Sequence, residues 1–405
     1  MRQKSIVAVV KCNSYDTQEV ETAVNKGLNL LGGAKKFAAQ GEKILFKPNI
    51  LWPTNPDKCV VTHPAVFEAV LKAFKPTGAA LFFGDSPGGL QSPESALKKC
   101  GHFQLAQPLG AQLADFVHGE SVSHPNGLTS KRLLIAKGVL DTDSVISIPK
   151  LKTHGLTRLT GAVKNQYGCV PGMVKGQYHA QFPDLLEFSK LLVDICSAVN
   201  PKLYIMDAVI GMEGNGPQSG DPRHIGALLF STDPVALDAA AARIIDLDPS
   251  FIPTSAPGLE AGLGTYKSEE IELVGDSLEQ FIIKDYNVVK KPVQSMPETP
   301  FLRNLKRLVN PAPVIDKKAC TKCGRCIEVC PVEPKAVGWK NGGVSRKSVP
   351  IYNYRECIRC YCCHEMCPSR AIHIKKPFLG KCFPFLSYIA LVITNIFAKR
   401  SDNTK

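Results

Sequence analysis

Short apolar runs alternate with amphipathic stretches along the first 290 residues, and the two patterns predict different elements. Ser5-Ile6-Val7-Ala8-Val9-Val10 is an unbroken apolar run of strand length, and Asp16 stands where it can cap a helix running to the Gly32-Gly33 stop. Ile44-Leu45-Phe46 predicts a short strand ending in Lys47-Pro48-Asn49. A helix opening near Thr62 carries Val66, Phe67, Val70, Leu71 and Phe74 at helical spacing. The alternation continues with a strand over 79–83 that ends in Gly84-Asp85-Ser86-Pro87-Gly88-Gly89, and a strand over 144–148 that ends in a loop from Pro149 to Gly155. A helix over about 182–199 then leads to a strand over 203–206. A glycine-rich loop is expected from Asp207 to Gly220, followed by a strand over 227–230 and an alanine-rich helix capped by Asp233. Strands that are apolar throughout are buried on both sides. The fold class is therefore α/β, a mostly parallel sheet with helices on both faces.

The pattern breaks after residue 290. From 291 to 314 the chain is rich in Lys and Pro and reads as a linker with a short helix around 301–309; a cysteine-rich segment at 315–376 and a tail at 377–405 follow. At 405 residues and 44% hydrophobic, the chain is long enough for two or three domains with real cores. No apolar run reaches the roughly 20 residues of a spanning helix, which excludes a polytopic membrane protein. Met1-Arg2-Gln3-Lys4 is followed by too short an apolar stretch for a signal peptide, so a reducing, cytoplasmic setting is expected and close cysteines mean metal before disulfide.

Charge and cysteine are concentrated together. Ten of the fifteen cysteines lie after residue 319, and residues 316–405 carry +11 of the net +13. With neither a basic helix nor an aromatic-studded sheet motif, that charge does not point to nucleic acid. Cys320-x2-Cys323-x2-Cys326-x3-Cys330-Pro331 recurs as Cys357-x2-Cys360-x2-Cys363-x3-Cys367-Pro368. Three thiolates from one tight loop reach three irons of a cubane, and the fourth iron is left to a more distant cysteine. The run thus predicts two 4Fe-4S clusters with crossed ligation: Cys320, Cys323, Cys326 and Cys367 for the first, Cys357, Cys360, Cys363 and Cys330 for the second. Zinc needs only four ligands and does not account for an eight-cysteine repeat with both prolines. Cys362 and Cys382 fall outside the pattern. The segment resembles the bacterial-type ferredoxin domain with two 4Fe-4S clusters, a small α+β unit, here with an enlarged hairpin around Asn341-Gly342-Gly343. Nearby Lys and Arg partly offset the negative charge of such clusters, which accounts for some of the basic excess.

In the larger domain, chemically capable residues gather just after the predicted strands, the edge where doubly wound sheets bind ligands. They are Lys47, Asn49, Asp85, Ser86, Lys150, Lys152, His154, Lys164, Asn165, His179, Asp207, Glu213, Asn215 and Asp233. Lys suits anionic groups, while His and carboxylates suit proton transfer. Lys152, His154, Lys164 and Glu213 are the candidate catalytic groups; Lys47, Asn49, Asp85, Asn165 and Asn215 are the candidates to hold a cofactor or substrate. Placed on exposed loops, Lys152→Ala and Glu213→Ala are expected to leave stability almost unchanged. Dinucleotide-binding, P-loop and Gly-x-Ser-x-Gly fingerprints are absent. The phrases Lys47-Pro48-Asn49, Gly84-Asp85-Ser86-Pro87, Lys150-x-Lys152-Thr153-His154, Thr160-Gly161-Ala162-Val163-Lys164-Asn165, Asp207-Ala208-x2-Gly211-Met212-Glu213-Gly214-Asn215-Gly216-Pro217 and Ser231-Thr232-Asp233-Pro234 together resemble the domain-of-unknown-function 362 family over about residues 43–275. That resemblance implies the architecture, with a ferredoxin fusion, and names no substrate.

Residues 383–398 carry no charge and are flanked by Lys381 and by Lys399-Arg400. They are too short to span a bilayer comfortably and suit either a helix packed on the protein or a membrane-surface contact. The functional expectation is an iron–sulfur redox protein whose ferredoxin module exchanges electrons with a redox partner protein and with a small-molecule site on the α/β domain. The alternative is a non-enzymatic carrier or scaffold whose α/β domain only recognises a partner.

Overall fold

Why the alternation seen in the sequence folds as it does is visible strand by strand in the computed structural model, which describes residues 4–89, 91–292, 311–340 and 348–375. The expected linker helix at 301–309, the Asn341-Gly342-Gly343 turn, Cys382 and the tail at 383–398 lie outside the described residues. The strands of the larger unit are β1 (Ser5–Lys11), β2 (Lys43–Pro48), β3 (Ala80–Phe83), β4 (Gln112–Leu113), β5 (Gly119–Ser123), β6 (Arg132–Ala136), β7 (Ser144–Ile148), β8 (Lys150–His154), β9 (Arg158–Thr160), β10 (Leu203–Glu213), β11 (Asp221–Ser231) and β12 (Ile271–Gly275). The main sheet has the order β12-β1-β11-β10-β7-β2-β3-β4, with β8 and β9 attached beside β10, and β5 and β6 form a separate pair. Parallel pairing runs through β10-β7-β2-β3-β4, while β11 runs antiparallel to both β1 and β10.

The apolar runs fill two cores, one on each side of the sheet. Ala8, Ile44, Phe46, Ile146, Leu228 and Phe230 point to one side, where the helices Thr17–Leu30 and Pro64–Phe74 cover them. Val7, Leu45, Val145, Met206 and Leu229 point to the other, under the helices Leu185–Val199 and Pro234–Ile244. This is the period-two alternation of a strand with both faces buried. Asp16 and Asp233 cap their helices as expected, each accepting two backbone N–H groups. The first helix packs so closely that a Cβ on Gly27 would stand 2.2 Å from the Phe230 ring.

Two expected loops are largely or partly strand. β10 continues to Glu213 and β11 starts at Asp221, so the first half of the expected 207–220 loop is one arm of a long antiparallel hairpin and only 214–220 turn. Its extension offers an edge to which β8 attaches, pairing Asp207 with Lys150 and Met212 with Lys152. The Lys150–His154 phrase is therefore a strand, buried at every position, and not a solvent loop.

The cysteine-rich unit has two short strand pairs, β13 (Ala312–Ile315) with β16 (Ile372–Lys375) and β14 (Val337–Gly338) with β15 (Ile351–Tyr352), and the single-turn helices Arg325–Glu328 and Cys362–Glu365. It sits on the strand-end edge of the larger unit. His364 Nε2 meets Asn215 Oδ1 at 2.8 Å, the Arg325 guanidinium lies 5.1 Å from the Trp52 ring, and Met366 occupies space that a side chain at Gly88 would need.

Candidate functional site

Four cysteines of the two runs line one small cavity: Cys320, Cys323, Cys326 and Cys367, three from one copy and the last from the other, together with Ile315, Pro368 and Ile372. The sulfurs are also hydrogen-bonded as cluster ligands need to be. Lys322 N–H donates to Cys320 Sγ, Ala336 N–H to Cys330 Sγ, Ala371 N–H to Cys367 Sγ and the Tyr352 hydroxyl to Cys363 Sγ, at 3.2–3.4 Å. The repeat extends to the backbone: Lys322 and Arg359 share φ near +60°, and the left-handed Gly324 of the first copy is matched by left-handed Tyr361 in the second.

A larger cavity opens where the two units meet, about 840 Å³ of space including its mouth. The α/β unit contributes Asn49, Asp85, Lys152, Thr160, Lys164, Asn165, Tyr167, Lys175 and His179, and the cysteine-rich unit contributes Val329, Cys362, Glu365 and Met366. Beneath the cavity lies a buried ionic layer. Lys47 pairs with Asp85 at 2.7 Å, both sealed from solvent, and Asp85 also accepts the Ile50 N–H at 2.6 Å. Lys152 donates to Asn49 Oδ1 at 2.6 Å and to the Val60 carbonyl at 2.7 Å. Asn165 ties the layer to β7 through Ser147 Oγ at 2.9 Å. Gly168 has no room for a side chain: a Cβ there would stand 2.0 Å from Asp85 Oδ1.

His154 links the units. Its Nδ1 accepts the N–H groups of Leu156 and Thr157, which places the ring hydrogen on Nε2. That nitrogen faces Glu365 Oε1 at 3.1 Å, though out of line for a good hydrogen bond. Burial, reinforced by the Lys164 charge, pushes His154 down to about 4, and burial pushes His179 to a similar value. Burial alone would raise Glu365, but His154, Lys164 and His179 outweigh it and hold the carboxyl well below its usual range. Burial also lowers Lys152 strongly and Lys175 to about 7, with Asp85 opposing the second shift. Lys164 is lowered by burial against the pull of Glu365.

Of the expected site residues, Asn49, Asp85, Lys152, Lys164 and Asn165 line the cavity; Lys47 and His154 support it from behind. Asn215 is at the junction, bound to His364. Glu213 is elsewhere: its carboxylate accepts the Asn287 N–H at 3.0 Å and faces Arg223 at 3.8 Å, because β10 carries it past the cavity. Cys362, Glu365 and Met366 were not expected. The only sequence signal for them is their position inside the second cysteine run, which says nothing of what they face.

Residues 44–243 match the family model described as domain of unknown function (DUF362), and residues 312–368 match a 4Fe-4S dicluster domain. A relative, the thylakoid-associated protein sll1697 of Synechocystis sp., is 35% identical over 264 residues, covering 65% of this chain and 81% of the relative. Among solved structures, the lactate racemase apoprotein from Thermoanaerobacterium thermosaccharolyticum aligns at 14% identity and a TM-score of 0.38, over 57% of this chain and 55% of that one. A structural-genomics protein from Thermotoga maritima aligns at 10% identity and a TM-score of 0.33, over 56% of this chain and 57% of that one. The chain thus spans little more than half of either solved protein.

Proposed function

We propose, for a chain that belongs to the domain-of-unknown-function 362 family and carries a 4Fe-4S cluster-binding domain, that the cavity between its two units is the substrate or cofactor site of an iron–sulfur redox protein. One observation carries this reading. Cys362, Glu365 and Met366, from inside the second cysteine run, form a wall of the same cavity as Lys152, Lys164 and Asn165. Two clusters are held, one by Cys320, Cys323, Cys326 and Cys367 and one by Cys357, Cys360, Cys363 and Cys330. When bound, they supply one-electron transfer. The second set lies toward the cavity, since Cys360 packs with Cys362 and Met366, and Pro331 after Cys330 approaches Gly176. The first set lies toward solvent, where exposed Cys323 marks the edge a redox partner protein meets.

The chain's own residues do the rest. The Lys47–Asp85 pair and Lys152 hold Asn49 and Asn165 at the cavity floor. The His179 ring, stacked on Phe188 at 4.3 Å and edge-on to Tyr167, closes one side against water. The cyanobacterial relative is named as thylakoid-associated; for this chain the proposed bilayer-surface contact is residues 383–398 with their flanking cations. The central test incubates anaerobically reconstituted, reduced protein with deproteinised cell extract and identifies the retained molecule by mass spectrometry. That molecule should reoxidise the reduced clusters, and Met366→Trp, which fills the cavity, should abolish retention with iron content intact. Full iron loading with nothing retained leaves the carrier or scaffold reading instead.

A further inference from the structure

Four lysines stand in or directly behind the cavity walls, against two carboxylates. Lys47 is taken by Asp85, at 2.7 Å. Lys152 is taken by Asn49 and Val60, and Lys175 by Ser86 Oγ at 2.6 Å and the Val170 carbonyl at 2.8 Å. Glu365, on the wall formed by the cysteine-rich unit, faces His154. Lys164 is different. Among the described residues its ammonium has no hydrogen-bond or ion-pair partner, and what it meets is the Tyr167 ring, 5.6 Å from the centroid. Glu365 attracts it across the cavity, yet none of the described carboxylates stands in contact with its ammonium. A half-buried cation held by no direct partner is costly, and a binding site is where such a cost is offset by the ligand. Two independent features lie on the same cavity. The Thr160 hydroxyl is buried and lacks a partner. The helix Val174–Gln181 begins at the wall, beside Gly172 and Met173, with no side-chain cap over its first N–H groups.

The remaining wall is apolar: Ile50, Leu51, Met173, Val329 and Met366. A bare inorganic anion would leave that surface facing water, whereas an apolar wall with a few polar groups suits the body of a small organic molecule. We propose that the cavity binds a small organic anion, with its charged group on Lys164 and Thr160 and its apolar body along Ile50, Leu51 and Met366. The proposal rests on the reading of this cavity as the substrate site and names the class of molecule that site takes.

The test uses the cluster-loaded, full-length protein and three probes: benzoate, benzamide as its uncharged counterpart of the same shape, and inorganic phosphate. Equilibrium titration should give one benzoate site and binding of benzamide weaker by about tenfold or more, the usual worth of a charge-assisted hydrogen bond. Phosphate should bind more weakly than benzoate. Lys164→Met should bring benzoate down to the benzamide level and leave benzamide where it was, while Lys164→Arg should keep most of the preference. Iron content and thermal midpoint report whether each variant is folded. Should Lys164→Met fail that check, Thr160→Val, which removes only the hydroxyl, should weaken benzoate more than benzamide. Equal binding of benzoate and benzamide by the unaltered protein overturns the proposal, as does no binding of either, a preference that survives Lys164→Met, or phosphate binding as tight as benzoate. Failure of the redox reading looks different: charge-dependent benzoate binding persists, yet no compound from extract reoxidises the clusters.

Discussion

Lys152 and Glu213 look alike in the sequence, each a charged residue shortly after an apolar run, yet their surroundings differ completely. Lys152 is fully buried, and its ammonium satisfies the Asn49 side chain and the Val60 carbonyl. Lys152→Ala leaves both acceptors unpaired and opens a void, so we expect a loss of about 2–4 kcal/mol in urea unfolding. Glu213→Ala removes a partly exposed contact to the Asn287 N–H and Arg223, and should cost under about 1 kcal/mol without changing ligand retention. Similar losses in the two variants would contradict the placement of one of them. A second residue-level case is His102, whose two ring nitrogens are buried without partners and whose pKa burial pushes down to about 4. With the folded value below the unfolded 6.5, the unfolded chain binds the extra proton between these two values. Stability from this residue is complete above pH 6.5 and is lost as the pH falls toward 4. His63, His154 and His179 are displaced the same way, while Asp238, pushed up to about 7 by burial, acts in the opposite sense. His102→Phe should therefore flatten the pH dependence of unfolding free energy between pH 6.5 and 5 by up to one proton, about 1.4 kcal/mol per pH unit. An unchanged slope would mean that His102 titrates alike in the folded and the unfolded chain.

At the scale of elements, what could be read depended on whether the pattern itself was the chemistry. The cysteine runs were legible because ligand spacing fixes the loop, and the matching left-handed positions at Lys322 and Arg359 follow from it. β1, β2 and β7 were legible because burial on both faces leaves a mostly apolar run, and β3 because its Ala80–Phe83 stretch is apolar although one face is only half-buried. β8 was not, since Lys150-Leu151-Lys152-Thr153-His154 has the polarity of a loop. Its burial is created by Asp207, by Asn49 and by Glu365, the last of them 211 positions from His154. The crossing of the two cysteine runs gives the test at this scale. Cys330→Ala lies in the first run but should damage the cluster whose other ligands are Cys357, Cys360 and Cys363, leaving the Cys320, Cys323, Cys326 and Cys367 cluster assembled. The unaltered protein should bind close to eight irons and show the EPR signature of two interacting reduced clusters. Cys330→Ala should lose that interaction, and Cys367→Ala should damage the other cluster. Zinc in place of iron, or four irons in the unaltered protein, would end the two-cluster assignment.

The whole molecule joins a nearly neutral α/β unit to a basic end, and the cavity is lined from both, so neither unit alone encloses it. The basic end also carries the apolar stretch 383–398 between Lys381 and Lys399-Arg400. Among the described residues no helix is long and apolar enough to cross a membrane, and the bilayer-surface contact we propose rests on this stretch. Its bulky side chains would enter the acyl boundary while the flanking cations meet anionic headgroups. Charges at such a surface are screened over about 8–10 Å at physiological ionic strength. Full-length protein should therefore sediment with anionic liposomes at low salt, release progressively as salt rises, and bind neutral liposomes less. A chain ending at Lys381 should keep its iron and its thermal midpoint, and should stay in the supernatant at every salt concentration. If these residues pack on the protein instead, the same truncation exposes core. The shortened chain would then aggregate or melt earlier, and the full-length protein would ignore liposomes even at low salt.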